Sequence, residues 1–83
     1  MTYAYVPEVL EQLSAHGLSP GSETPPSLAR DALSDLYRYE IRRLKSRLLA
    51  GEFAQADYIP RVLELRKKYW LLSVPVRLWM RTT

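Results

Sequence analysis

The single histidine, His16, is the side chain best suited to proton transfer, and catalysis would require partners for it. The chain has no cysteine and no HExxH motif, and its three glycines are isolated from one another, so it has no glycine-rich phosphate loop. A nucleophile–histidine–acid set would depend on His16 alone, and paired carboxylates would have to come from scattered surface acids. The sequence therefore predicts a protein that is not an enzyme and has no cofactor, metal or small-molecule substrate.

Basic side chains are the other residues that could bind a ligand, and they are unevenly distributed. Residues 1–36 contain five acidic residues and one basic residue, a net charge of −4, whereas residues 37–83 contain eleven basic and four acidic residues, a net charge of +7. A basic surface of this kind can bind nucleic acid, anionic lipid or an acidic protein. The alternative is that the acidic part folds back onto the basic part, or that both are ordinary solvated faces.

On a helix, Arg38, Arg42 and Lys45 lie within about 60° of one another, and Tyr39 and Arg43 lie on a neighbouring strip. We call these five residues the basic ridge. With basic residues of the following helix and one tryptophan, they make up the candidate partner-binding set: Arg38, Tyr39, Arg42, Arg43, Lys45, Lys67, Lys68 and Trp79.

Two amphipathic segments must position most of these side chains. In the first, apolar residues recur at helical spacing on one stripe, which predicts a helix over residues 27–50. In the second, a similar face predicts a helix over residues 57–72. Gly51 lies where the first helix must end, and we expect it to have a positive φ. The two helices then form an antiparallel hairpin, and the apolar faces are Leu33, Tyr37, Ile41, Leu44 and Leu48, and Ile59, Val62, Leu63, Tyr69 and Trp70.

A shorter helix precedes the hairpin. Pro7 suits a first helical position, and Gly17 suits the left-handed position after a helix end, with Leu18 placed to contact Leu13 in a Schellman motif. These signals predict a helix over residues 7–16. Residues 19–26 are rich in proline and form a connecting loop. The predicted fold is all-α, a single small domain over residues 1–83, with the short helix packed on the hairpin.

The turn of the hairpin combines Gly51, an apolar Phe53 and the acid–aromatic pair Asp57-Tyr58. We expect Asp57 to lie at the N-cap of the second helix, because Pro60 then falls at the third helical position, where a backbone N–H has no intrahelical partner. Over residues 44–65 the pattern resembles the short helical hairpin called SHOCT (short C-terminal domain). It departs from that pattern in having Ala54 where a capping Ser or Thr is usual and Pro60 inside the second helix. The resemblance implies a non-catalytic interaction or oligomerisation module.

Residues 74–83 form a tail that is apolar, aromatic and basic. Val76, Leu78 and Trp79 are expected to fold back over the open end of the hairpin. The alternatives are a protein-docking patch or a membrane-interface anchor. No segment has the roughly 18–20 apolar residues of a membrane-spanning helix. The absence of cysteine and of a signal-peptide pattern predicts a cytoplasmic location.

Two charged residues interrupt the apolar faces. Glu40 lies inside the stripe of the first helix, and Arg66 lies between apolar residues of the second. Residues that face each other in an antiparallel hairpin have position numbers with a nearly constant sum, and a turn at Gly51 makes Glu40 and Arg66 face each other. The pattern predicts a largely buried Glu40–Arg66 ion pair, joined by the hydroxyl of Tyr37 or Tyr69, which fixes the register.

Taken together, the sequence predicts a non-catalytic protein-interaction or oligomerisation module whose partner is a protein, either itself or another. A chain this short buries only about 60% of its unfolded surface, which favours association. The alternatives are a small basic module that contacts the phosphates of nucleic acid, and peripheral association with a membrane through the tail.

Overall fold

The computed structural model describes residues 2–81, and the predicted all-α fold is confirmed. Helix α1 spans Pro7–Ala15, α2 spans Pro26–Leu49 and α3 spans Tyr58–Lys68. Three 3₁₀ turns, at Gln55–Asp57, Trp70–Ser73 and Val76–Trp79, flank and follow α3. The described residues contain no β-strand, only an isolated antiparallel bridge between Tyr5 and Met80. The molecule is elongated, with extents of 50 × 17 × 16 Å. Of the predicted tail, Thr82 and Thr83 lie outside the described residues, as does Met1 of the predicted domain.

Helix α1 has the predicted ends. Pro7 occupies its first position and Glu8 lies in its first turn, where a negative charge stabilises the helix dipole. Gly17 has a φ of 79°. The Leu18 N–H donates to the Leu13 carbonyl at 2.8 Å, and the Gly17 N–H donates to the Ser14 carbonyl at 2.9 Å. These two bonds are the predicted Schellman motif.

Helix α2 ends by the same mechanism. Gly51 has a φ of 77°, as predicted, and its N–H donates to the Leu48 carbonyl at 3.0 Å. The Glu52 N–H donates to the Arg47 carbonyl, also at 3.0 Å, which completes a second Schellman motif. The start of α2 depends on Pro26, whose ring fixes a helical φ, and no side chain caps it. Glycine and proline therefore define both ends of the longest helix.

Helix α3 begins where predicted and ends earlier. Asp57 occupies the N-cap position after an irregular turn, although its side chain makes no capping hydrogen bond. The helix ends at Lys68 instead of Leu72, because Tyr69 leaves helical geometry with φ −104° and ψ 36°. Both Tyr69 and Leu71 are buried, and in a continuous helix they would lie about 200° apart. The break at Tyr69 lets both side chains enter the core.

The core lies at one end of the hairpin, where α1, the start of α2 and the chain after α3 meet. Its fully buried side chains are Leu13, Leu33, Leu71 and Trp79. The tail is anchored there by backbone bonds to the N-terminal segment, since the Val6 N–H donates to the Trp79 carbonyl at 2.8 Å and the Arg81 N–H donates to the Ala4 carbonyl at 2.7 Å. We call this end the proximal end and the Gly51 turn the distal end.

Trp79 is a correction to the predicted partner-binding set. Its side chain has no exposed surface, and its indole Nε1–H donates to the Val74 carbonyl at 3.2 Å. A residue with no accessible surface cannot contact a partner. Leu78, beside it, is 57% exposed and does not help to cover the hairpin as predicted.

Candidate functional site

The distal part of the hairpin consists of α2 and α3 alone, and its two sides differ in chemistry. None of the residues of α3, all of which the structure describes, is buried. Its most covered side chains are Tyr58, Val62 and Leu65, and the buried Tyr69 directly after the helix continues their spacing. These four residues mark the stripe that packs on α2.

A second apolar stripe of α3 is rotated by one residue from the first and faces water. Ile59 is 61% exposed, Leu63 is 49% exposed and Trp70 is 39% exposed. The face that the sequence predicted to pack on α2 combined members of both stripes. For Ile59, Leu63 and Trp70 that prediction is wrong, because these side chains face water. The physical reason is that one neighbouring helix can cover only one stripe of α3.

Side chains of α2 extend this exposed stripe across the hairpin. Tyr37 lines the same groove as Leu63 and Trp70, and Ile41 and Leu48 follow Tyr37 at helical spacing and are only half-buried. We call this surface the apolar side of the hairpin; it consists of Tyr37, Ile41, Leu48, Ile59, Leu63, Arg66 and Trp70. An exposed apolar surface of this size can accommodate a large apolar side chain or a helix.

A groove of about 650 Å³ lies at the proximal part of the apolar side. Its walls are mainly apolar and aromatic, from Tyr37, Leu63, Trp70 and Leu72. The charged residues that line it are Arg66 and Lys67, and no carboxylate is among the described residues around it. The groove is therefore an apolar site with a positive edge.

The opposite surface of the hairpin is charged. We call it the charged side; it consists of Glu40, Arg47, Arg61, Glu64 and Lys68. At its distal end, the Arg47 Nε lies 3.3 Å from a carboxylate oxygen of Glu52, and the Arg61 guanidinium lies 4.3 Å from the centre of the Phe53 ring. These contacts pair Arg47 with Glu52 and place Arg61 over the Phe53 ring.

The predicted Glu40–Arg66 ion pair is wrong, because Glu40 pairs with Lys68 instead. The Lys68 ammonium nitrogen lies 3.2 Å from Glu40 Oε1, whereas Arg66 is exposed on the apolar side. Arg66 follows the packed residue Leu65 by one position, which rotates it about 100° away from α2. Lys68 follows Leu65 by three positions, so its side chain lies at the opposite edge of the contact between α2 and α3, beside Glu40. The register in which α2 and α3 pair is therefore close to the predicted one. The prediction of which face of α3 contacts α2 was wrong.

The Glu40 carboxylate belongs to a small polar cluster with Tyr69 and Lys68. Burial would raise the pKa of Glu40, but the Tyr69 hydroxyl and the Lys68 ammonium group together outweigh it, so that this pKa lies below its ordinary value. Burial, and then the nearby Glu40 carboxylate, raise the pKa of Tyr69 well above its ordinary value. Glu40 Oε2 is buried and makes no hydrogen bond of regular geometry to any described residue. A tyrosine hydroxyl beside Glu40 was predicted, and Tyr69 supplies it.

His16 packs against this cluster from α1. Its ring stacks on Tyr69 with centroids 4.3 Å apart, and its Nε2 lies 3.1 Å from the Lys68 carbonyl, which requires the proton on Nε2. No group of three or more His, Cys, Asp or Glu residues within positions 2–81 is placed to bind a metal. The contacts of His16 join α1 to the end of α3.

The basic ridge lies on the outer surface of α2 and is exposed along its whole length. Arg38 has an ion pair with Asp35, 3.8 Å away, in which both side chains are mostly exposed. The structure does not bring the remaining predicted basic residues to this surface. Lys67 lines the groove on the apolar side, and Lys68 is on the charged side. The candidate set is therefore divided among three surfaces.

Sequence reasoning missed the apolar side as a site. A signal for it exists, since residues 58, 62, 65 and 69 and residues 59, 63, 66 and 70 both have helical spacing and both are largely apolar. Two such stripes on an eleven-residue helix are more than a single neighbouring helix can cover.

No helix in the described part of the chain is long and apolar enough to cross a membrane. Comparisons of the chain with known protein families, with curated proteins and with solved structures gave no match.

Proposed function

We propose that the protein is a non-catalytic protein-interaction module that binds an amphipathic helix of another protein against the apolar side of its hairpin. The observation that carries the proposal is the exposed stripe of α3, where Ile59, Leu63 and Trp70 are between 39% and 61% exposed. Scattered exposed apolar residues are normal, but large residues that adjoin one another around a groove mark interaction sites. The aromatic groove supplies the kind of pocket that interface anchors fill.

A helix is the occupant whose shape fits this surface. The α2 and α3 ridges run side by side, so a third helix laid between them would complete a three-helix arrangement and cover both. The eleven residues of α3 span about 16 Å, which corresponds to three helical turns. A partner helix of that length presents apolar anchors at positions i, i+4 and i+7, which is the helix-in-groove mode of recognition.

Charge favours another protein over a second copy of this chain. Two copies that met groove to groove would bring Arg66 and Lys67 of each together, and no carboxylate among the described lining residues could pair with them. Like charges brought together in this way oppose association and suppress the wrong partner. The SHOCT resemblance of residues 44–65 implies an interaction or oligomerisation module and is consistent with this proposal.

The other two functions considered from the sequence have less support. Arg38, Arg47 and Lys68 have carboxylate partners, and the basic residues of α3 lie on the apolar and charged sides of the hairpin. The charges that remain together are Arg42, Arg43 and Lys45 of the basic ridge, which is a short track for a phosphate backbone. Membrane association through the tail would use Trp79, which is fully buried.

The test is a selection from a displayed library of amphipathic helical peptides, with large apolar residues at the anchor positions and mixed polar residues elsewhere. Peptides are selected on the wild-type protein and then measured on Leu63→Glu and on the matched control Glu64→Gln, which lies on the charged side. We expect selected peptides with dissociation constants of about 1–100 μM that lose at least about tenfold in affinity on Leu63→Glu and none on the control.

Two results would contradict the proposal. The first is a selection in which no peptide depends on Leu63. The second is light scattering that shows a stable dimer of the protein alone which Leu63→Glu dissociates, because the apolar side would then be occupied by a second copy.

A further inference from the structure

We propose that the partner helix is acidic, with a large apolar anchor in the groove and carboxylates three or four residues from it that pair with Arg66 and Lys67. This inference rests on the proposed function and adds the chemistry of the partner. Its basis is the combination, in one groove, of aromatic walls with two cations and no carboxylate among the described lining residues.

The carboxylates of the hairpin lie elsewhere. Glu40 pairs with Lys68 and Glu64 lines the charged side, while Glu52 pairs with Arg47 in the turn. On the outer surface of α2, Asp35 pairs with Arg38. Arg66 and Lys67, by contrast, have no ion-pair partner within residues 2–81. The positive edge of the groove is therefore not neutralised from within the described chain.

The position of Arg66 makes it more than a solvated surface charge. It lies within the exposed stripe of α3, three residues after Leu63, and both side chains line one groove with Trp70. A helix that covers Leu63 and Trp70 must also partly desolvate the guanidinium between them. Desolvation of an unpaired charge is unfavourable, whereas a carboxylate can accept two parallel hydrogen bonds from a guanidinium. The groove should therefore bind an acidic helix more tightly than a neutral helix, and a basic helix most weakly.

The spacing of the groove sets the spacing in the partner. Trp70 and Leu72 line the groove just beyond the end of α3, and Arg66 lies in the last turn of that helix. A helix packed alongside α3 with its anchor against Trp70 presents its next turn to Arg66. The expected recognition pattern is a large apolar residue with Asp or Glu at a distance of three or four positions on one side.

The experiment uses one peptide from the Leu63-dependent selection, made in three forms with Glu, Gln or Lys at the positions that flank its anchor. Each form carries a fluorescent label and is titrated by anisotropy in about 50 mM and about 300 mM NaCl, on either side of physiological screening. The protein variants are wild type, Arg66→Gln/Lys67→Gln, and the matched double variant Arg42→Gln/Arg43→Gln, which removes the same charge from the outer surface of α2.

On the wild type, we expect the Glu form to bind about three- to tenfold more tightly than the Gln form, and the Lys form to bind most weakly. The difference between Glu and Gln should disappear in Arg66→Gln/Lys67→Gln, persist in the control and decrease at high salt.

Equal binding of the Glu and Gln forms, with dependence on Leu63 retained, overturns the acidic preference and leaves the proposed function in place. Loss of the preference in both double variants alike overturns it too, since the attraction would then come from net charge and not from the groove. Failure to obtain any Leu63-dependent peptide overturns the proposed function itself.

Discussion

Replacement of Trp79 by alanine is expected to remove much of the folding free energy, whereas the same replacement of Trp70 should leave the fold intact. Trp79 has no exposed surface, and truncation of a buried tryptophan costs about 3–5 kcal/mol. The change also leaves the Val74 carbonyl without its indole donor. A chain of 83 residues has a total stability of only about 4–12 kcal/mol, so this variant should be partly or wholly unfolded.

Trp70 provides a matched comparison, because it is the other tryptophan of the chain and is 39% exposed at the groove. Its truncation is expected to cost about 1–2 kcal/mol, in the ordinary range for point substitutions, and to weaken the binding of a selected peptide strongly. The two substitutions should therefore have different effects: Trp79→Ala should impair folding, and Trp70→Ala should impair binding.

Urea unfolding followed by far-ultraviolet circular dichroism measures the first effect, since the signal does not depend on the tryptophan removed. Should Trp79→Ala prove too unstable, Trp79→Phe keeps most of the apolar bulk and lacks the N–H donor. Its expected loss is about 1–2 kcal/mol. A Trp79→Ala protein within about 0.5 kcal/mol of wild type, or one more stable than Trp70→Ala, would refute the burial of the tail on which the argument depends.

Three further predictions concern the hairpin. Gly51→Ala should lower the free energy of unfolding by about 1 kcal/mol, because the φ of Gly51 is 77°. Gly21 is not in the left-handed conformation, so Gly21→Ala should change the free energy of unfolding by less than about 0.5 kcal/mol. Thermal unfolding of both variants tests this. The pKa of Glu40 in the folded protein is below its ordinary value of 4.5. The ionised carboxylate therefore stabilises the fold above pH 4.5, and this stabilisation is lost as the pH falls through the pKa of the folded protein. Glu40→Gln should make the free energy of unfolding depend less on pH in the acid range, and an unchanged dependence would contradict this. A double-mutant cycle should give Glu40 and Lys68 a coupling of about 0.2–1 kcal/mol and give Glu40 and Arg66 a coupling near zero, the reverse order being the result that would restore the original pairing.

The parts of the fold that the sequence predicted correctly depend on local chemistry. Gly17 and Gly51 end their helices in the left-handed conformation, and each is followed by the hydrogen bonds of a Schellman motif. Pro60 at the third position of α3 places the start of that helix to within one residue. These signals act between neighbours in the chain, so they can be interpreted without knowledge of tertiary contacts.

The errors concern choices that only tertiary packing makes. Helix α3 has two apolar stripes, and local periodicity does not say which one faces α2. The burial of both Tyr69 and Leu71 at the proximal end sets the rotation of α3, and it places Arg66 on the apolar side and Lys68 beside Glu40. For Trp79 the sequence predicted packing over the hairpin but also left a docking role open, because tryptophan is common in both settings. Its full burial, together with the backbone bonds between the tail and the N-terminal segment, places it in the core.

The exposed apolar side follows from a mismatch of lengths in this small fold. The nine residues of α1 extend about 14 Å, whereas the 24 residues of α2 extend about 36 Å. The tail packs at the same proximal end as α1, since Trp79 and Leu13 belong to one core cluster. More than half of α2 therefore projects beyond what α1 and the tail can cover, and only α3 packs along that part. A pair of helices buries one stripe of each, so the second stripe of α3 stays exposed, and this is the surface that the proposed partner helix would cover.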